Sequence, residues 1–189
     1  MEKRLFIGIE IIPSEDLLEL ILHLKQVLNN EGIKWVEPSN FHLTLMFLGN
    51  VSLAKIQIIN KALMGVRSSH NLFEARLVNL GKFNYKGKTN VIWINFQDEG
   101  QIQKLAKDII TALSELGFCQ TTESFKPHLT VARVKTKCNE DVLDYQINSS
   151  LNKVVQMISI SEFCLFESIL KPVGPIYKVI ERYKLSEFN

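Results

Sequence analysis

Phe41-His42-Leu43-Thr44-Leu45 and Pro127-His128-Leu129-Thr130-Val131 write one short pattern twice in the same chain. Each sets an imidazole and a hydroxyl two residues apart inside an apolar run. A strand sends alternate side chains to opposite faces, so His42 and Thr44 share one face, as do His128 and Thr130, while the leucines and Val131 face the other way. If the two strands lie side by side, two imidazoles and two hydroxyls line one surface. Such a surface can give and take protons near neutrality and hold the oxygens of a phosphate.

Outward from these motifs, the same order of elements is expected on either side. Leu5 to Ile12 is apolar, closes at Pro13 and predicts a buried strand. Ser14 caps a helix whose inner stripe is Leu17, Leu20, Ile21, Leu24, Val27 and Leu28, with Glu15 and Asp16 in the first turn. A short extended piece, Trp35-Val36, precedes the first motif strand, expected over 41–48 and stopped by Gly49-Asn50. A second helix is expected over 52–66 on Ile56, Ile59, Leu63 and Val66. Strand-like sequence follows over 71–80 and 91–96, separated by a basic, glycine-bounded hairpin or loop over 81–88. Ile102, Leu105, Ile109, Leu113 and Leu116 predict a long amphipathic helix before the second motif strand, over 128–134. A short helix over 141–151, extended sequence over 154–166, a turn over 170–175 and a last strand over 176–185 complete the pattern. The histidines of the two motifs are separated by nearly half of the 189 residues, and strand, helix, motif strand, helix, strand recurs in order although not in residues. A duplication with pseudo-twofold symmetry is the inference.

With 46% hydrophobic residues, the chain can bury a substantial core in one large domain or two closely joined lobes. A formal net charge of +2 permits an anionic ligand but is far from a polybasic surface that coats nucleic acid. Cys119, Cys138 and Cys164 are odd in number and show no C-x-x-C spacing, which argues against a disulfide framework or structural zinc and for a reducing compartment. Met1-Glu2-Lys3-Arg4-Leu5 runs straight into strand-like sequence without a signal-peptide pattern, and no run reaches the roughly 18 apolar residues of a membrane span. A cytoplasmic protein is expected. No P-loop, dinucleotide fingerprint or metal-ligand spacing is present, so no metal and no cofactor are expected, and an ATP-driven ligase is disfavoured.

Two histidines in one cleft suit a displacement at phosphorus in which a neutral imidazole takes a proton from water while a charged one donates to the departing oxygen. Unperturbed imidazole titrates near pH 6.5, so small differences in surroundings split the two forms. A single His-x-Thr on a strand is more often a satisfied structural pair than a site. Two copies inside apolar strands, where unpartnered polar groups are costly, shift the balance toward function.

Three stretches carry a resemblance: Arg4-Leu5-Phe6-Ile7-Gly8-Ile9, Asn40-Phe41-His42-Leu43-Thr44-Leu45-Met46-Phe47-Leu48-Gly49, and Phe125-Lys126-Pro127-His128-Leu129-Thr130-Val131-Ala132-Arg133-Val134. Together with the tail from Glu167-Ser168 to Gly174-Pro175-Ile176-Tyr177, they resemble the two-histidine phosphoesterase superfamily. Within it they are most similar to the RNA 2′,3′-cyclic phosphodiesterases, the LigT-like or ThpR-like family also called 2′-5′ RNA ligases. The resemblance implies a bilobal α+β fold over residues 1–189, with two antiparallel sheets facing a central groove and helices outside. It implies metal-independent hydrolysis of a 2′,3′-cyclic phosphate to a terminal 2′-phosphate, on RNA ends or small nucleotides, with 2′-5′ RNA ligation as the reverse side activity. By the family's pattern His42 donates the proton to the leaving 3′ oxygen, His128 activates water, and Thr44 and Thr130 hold phosphate.

Other residues stay open. Arg133 follows His128 by five positions, which on an ideal strand aims it at the opposite face; a bulge would reverse that, and the resemblance places a substrate-binding arginine here. Lys82, Lys86 and Lys88, near Phe83 and Tyr85, fit either an RNA-tracking surface or a solvated loop. His23 and His70 are read as structural or surface residues, and Trp35 and Trp93 as core. The competing reading of the whole chain is a non-catalytic nucleotide- or RNA-binding module using the same groove. Nothing in the sequence demands a protein partner or an oligomer, so a monomer is expected.

Overall fold

Alternation and helical spacing resolve into nine strands and four helices in the computed structural model, which describes residues 1–29, 32–118, 125–172 and 174–187. In chain order these are β1 (Glu2–Glu10), α1 (Glu15–Val27), β2 (Ile33–Trp35), β3 (His42–Ser52), α2 (Leu53–Arg67), β4 (Phe73–Tyr85), β5 (Lys88–Gln97), α3 (Gln101–Ser114), β6 (His128–Val134), α4 (Glu140–Ser149), β7 (Val154–Ile160), β8 (Glu162–Lys171) and β9 (Gly174–Lys184). A 3₁₀ turn over Pro38–Asn40 leads into the first motif. Ser14 caps α1 as its position predicts, its hydroxyl accepting from the Leu17 amide at 3.3 Å.

The named strands run antiparallel to their neighbours in the order β7-β4-β5-β6-β3-β1-β8-β9, with β2 added alongside β6. The two sheets expected from the sequence are therefore halves of one curled sheet. One half, β3-β1-β8-β9, combines the earliest and latest strands of the chain; the other, β6-β5-β4-β7, comes from its middle. They meet at a single residue pair, Leu43 with Leu129. Pairing goes no further on the C-terminal side of β6 because β2 takes that edge, with Ile33 opposite Val134 and Trp35 opposite Ala132.

The core lies between the outer face of this sheet and the helices. Leu5, Ile7 and Ile9 of β1, Ile92, Ile94 and Phe96 of β5, and Phe163 and Leu165 of β8 enter it in strict alternation, joined by the inner stripes of the helices. Two of the helices cross over between halves. α1, which follows β1, reaches β7 of the other half, where Gln156 accepts from the Ser14 amide at 2.9 Å and donates to the Ile12 carbonyl at 2.8 Å. α3, which follows β5, packs on α2 and β3. Buried His70 bonds Asp108 of α3 at 3.0 Å, matching its expected structural role.

Three expectations need correction. Gly49 does not stop the first motif strand: at φ +69° it absorbs a register shift, and β3 continues to Ser52 paired with the start of β1. Of the two readings of the basic segment over 81–88 the hairpin is the one that forms, with strand up to Tyr85 and a tight turn at Lys86-Gly87, whose φ values are 51° and 76°. Lys82 is held there by Glu140 at 2.8 Å and Asp144 at 2.7 Å, so it is a tether for α4 and not a cation offered to RNA. Trp93 leaves the core and lies on the opposite face of the sheet, flat over Gly81, where an added Cβ would come within 2.3 Å of its ring. Cys138 and Cys164 are free thiols, and Cys119 lies outside the described residues. Among the described residues no helix is long and apolar enough to cross a membrane.

Candidate active site

With Leu43 opposite Leu129 in an antiparallel pair, the chain directions set His42 toward Thr130 and Thr44 toward His128. Both leucines are buried in the core, so all four polar side chains lie on the other, groove-lining face, where each is half-buried. The expected convergence of the two motifs is what the sheet builds.

The strands then repeat the same irregularity. On β3, Gly8 pairs with Thr44 and Ile7 with Met46, leaving Leu45 as the bulged residue; on β6, Trp93 pairs with Thr130 and Ile92 with Ala132, leaving Val131 bulged. Each bulge sends two successive residues, Leu45-Met46 and Val131-Ala132, into the core. The residue after them is thereby returned to the groove face. That residue is Arg133 on β6 and Phe47 on β3, both exposed. The parity problem that leaves Arg133 ambiguous in sequence is resolved by the bulge. Phe47, which sequence reasoning misses, is its pseudo-symmetric counterpart, and the same five-residue offset from its histidine is the signal that marks it.

The two imidazoles are held alike. Nδ1 of His42 donates to the Asn40 carbonyl at 2.7 Å, and Nδ1 of His128 to the Lys126 carbonyl at 2.7 Å. A carbonyl only accepts, so both rings carry their neutral-form proton on Nδ1 and leave Nε2 for exchange with a ligand. Their walls differ. His42 sits among aromatic rings of the first half: Phe6 at 4.9 Å, Tyr177 edge-on at 4.8 Å and Phe166 at 6.4 Å between centroids. Phe6, Phe166 and Cys164 form a small apolar cluster of their own, with Tyr177 and Val179 against it, separate from the main core. His128 has Phe83 edge-on at 4.9 Å and Trp93 at 6.4 Å. None of these neighbours is legible locally, since they come from distant strands.

Burial is the main influence on both imidazoles and holds each below the ordinary pKa of 6.5, against the opposing pull of its carbonyl partner. The Arg133 guanidinium pushes both in the same direction, and His128 adds a like-charge contribution at His42. One cation is thus felt at both histidines. Arg133 and Arg4 also oppose the upward push that burial exerts on the Tyr177 hydroxyl.

A stability consequence follows from the lowered values. Above pH 6.5 both states carry neutral imidazoles; as pH falls through about 6.5 the unfolded chain binds protons that the native site resists, and native stability falls. The loss levels off once the native imidazoles protonate too. The melting temperature should therefore drop between about pH 7.5 and about pH 5.5, and the drop should shrink in a His42→Gln, His128→Gln double variant. An equal acid shift in both proteins would mean that the two imidazoles are not the groups responsible.

Beyond His128, away from His42, lies a cavity of about 380 Å³ walled by Phe83, Trp93, Asn95, Gln103, Phe125 and Lys126 among others. Asn95 lies directly across from His128 on β5 and carries the groove face into this cavity.

A curled antiparallel sheet whose two halves each present one His-x-Thr to a shared groove is the arrangement that the resemblance drawn from the sequence implies. The model of the 2′-5′ RNA ligase superfamily matches residues 9–165, and the chain belongs to that superfamily. It is 37% identical over 176 residues to an RNA 2′,3′-cyclic phosphodiesterase of Archaeoglobus fulgidus, covering 93% of this chain and 96% of that one. A second enzyme of that name, from Methanocaldococcus jannaschii, is 32% identical over 180 residues, covering 95% and 99%. Among solved structures, TT0787 of Thermus thermophilus superposes with a TM-score of 0.79 at 25% identity, covering 98% of this chain and 100% of that one. The fold is also that of E. coli LigT complexed with 3′-AMP, with a TM-score of 0.77 at 23% identity over 99% of this chain and 100% of that one.

Proposed function

We propose that this chain hydrolyses the 2′,3′-cyclic phosphate of RNA ends or small nucleotides to a terminal 2′-phosphate, without a metal, as a monomer that needs no protein partner. The observation that supports it most directly is the Leu43–Leu129 pair, which brings both His-x-Thr motifs of one chain onto one face. His128 takes the proton of the attacking water through Nε2. The P–O3′ bond breaks as the new P–O bond forms, and His42 gives the departing O3′ its proton. Thr44, Thr130 and Arg133 hold the non-bridging oxygens, whose charge redistributes in the transition state. Phe47, exposed on the His42 side and 6.1 Å from Phe6, offers the ring on which the terminal base would lie. The RNA 2′,3′-cyclic phosphodiesterase names of the relatives accord with this chemistry.

The test is incubation of purified protein with a nucleoside 2′,3′-cyclic phosphate in excess chelator. The expected product is the 2′-phosphate alone, resolved from its 3′ isomer by chromatography. Tight nucleotide binding with no product after long incubation would establish the competing reading, a binding module in the same groove. A 3′-phosphate product would mean that O2′, and not O3′, is the oxygen that departs, and would overturn the proposed regiochemistry.

Ligation is favoured as a second activity by the cavity beside His128. Water on that side needs no space of about 380 Å³, whereas a nucleoside 5′-hydroxyl attacking in its place does. The alcohol would lose its proton to His128 and become joined through phosphorus to the 2′ oxygen, with O3′ leaving as before.

A further inference from the structure

We infer that Asn40 is a positioning residue that ties His42 to the tip of the β8–β9 hairpin; the inference rests on the assignment of His42 as the proton donor. Asn40 works with both of its ends. Its backbone carbonyl accepts the Nδ1 proton of His42 at 2.7 Å, while its side-chain Nδ2 donates to the carbonyl of Pro175 at 3.0 Å. Pro175 stands at the start of β9, two residues before Tyr177, and Tyr177 is the ring that meets His42 edge-on at 4.8 Å. One side chain therefore fixes the hairpin that supplies a wall of the His42 pocket to the residue that orients the His42 ring.

The second motif supplies an internal comparison. Lys126 occupies the place of Asn40, two residues before its histidine, and its carbonyl serves His128 in the same way. Its side chain is exposed on the rim of the cavity. The amide tether is thus a feature of the His42 side alone. That side is where a closed wall matters. The acid must keep a defined direction toward a poor leaving group, whereas the base meets water or an alcohol arriving from the open cavity. Gly174, at the start of β9, adopts φ 149°, and Lys34, whose strand partner is Arg133, lies within ordinary contact distance of it. The charged and titratable groups that act on His42 are His128 and Arg133, and Tyr177 packs against it.

Cutting the tether lets the tip and Tyr177 move off the imidazole and water reach it, while the backbone carbonyl remains. Asn40→Leu, near in shape, and Asn40→Ala, both neutral and without a donor, each remove the bond to Pro175. Each is expected to lower kcat on a nucleoside 2′,3′-cyclic phosphate about tenfold with KM within about twofold. In ¹⁵N spectra the His42 ring should titrate higher than in the parent protein while His128 does not. In the parent protein, the Asn40 side-chain amide should exchange slowly with solvent, a reading that needs no variant. Rates within twofold of the parent in either variant, equal movement of both histidine titrations, or a fast-exchanging Asn40 amide would each overturn the inference. If the parent protein opens no cyclic phosphate, the donor role of His42 falls, and the titration and exchange data still decide whether the tether exists.

Discussion

Replacing His42 or His128 by alanine is expected to lower hydrolysis of a nucleoside 2′,3′-cyclic phosphate by about 10²- to 10⁴-fold, the loss typical of a positioned acid or base. The two variants should nonetheless fold, because both side chains lie on the groove face and the core residues between them, Leu43 and Leu129, are untouched. They should also differ. Without His128, water must lose its proton to solvent, and a strong external nucleophile should recover part of the rate. Without His42 the 3′ oxygen departs unprotonated, and no nucleophile restores that loss. The measurement is single-turnover hydrolysis with circular dichroism as a check on folding. A fall smaller than tenfold in both variants would remove the two-histidine mechanism from this chain.

Arg133→Ala is the second large effect, about 10²- to 10³-fold, the scale seen when one donor is removed from a charge-stabilising site. The electrostatics supply an independent signature. Arg133 pushes the proton affinity of both His42 and His128 downward, so its removal lets both rise. Because the proposed mechanism needs a protonated His42, kcat/KM in the parent protein is expected to decline as pH climbs through its depressed pKa. In Arg133→Ala that decline should begin at higher pH although the maximum is lower. Arg133→Lys keeps the charge but loses the planar fork, and should restore the parent pH profile more fully than the rate. A lower rate with an unmoved profile would place Arg133 outside the electrostatic reach of the imidazoles.

The motifs are legible because their information is local. A histidine and a hydroxyl two residues apart, flanked by core leucines, state their own face without reference to the rest of the chain. The helix stripes and the Ser14 cap are legible for the same reason. Arg133 is half legible: its charge is visible, but its face depends on the Val131 bulge, which exists only through the pairing of β6 with β5. Gly49 reads as a terminator because a glycine that ends a strand and one that absorbs a bulge look identical in sequence. Lys82 looks free because Glu140 and Asp144 lie far along the chain. The aromatic walls of the two histidines come from β1, β4, β5, β8 and β9, and no spacing rule brings Phe6, Phe166 and Tyr177 to one ring. Repeated order hints at symmetry, but not that the halves share one sheet or that α1 and α3 change sides.

The interleaving of early and late strands has a consequence for assembly. The half that holds His42 is closed only when β8 zips onto β1 across most of the polypeptide. Such distant partners impose a large loop-closure entropy, so this half should be the slow step of folding. During synthesis the middle strands emerge together and can pair as they leave the ribosome, whereas β1 must wait with an open edge for β8 to arrive. An unfinished chain would thus hold His128 in place while His42 still lacks its aromatic housing, and the complete groove would appear late and all at once.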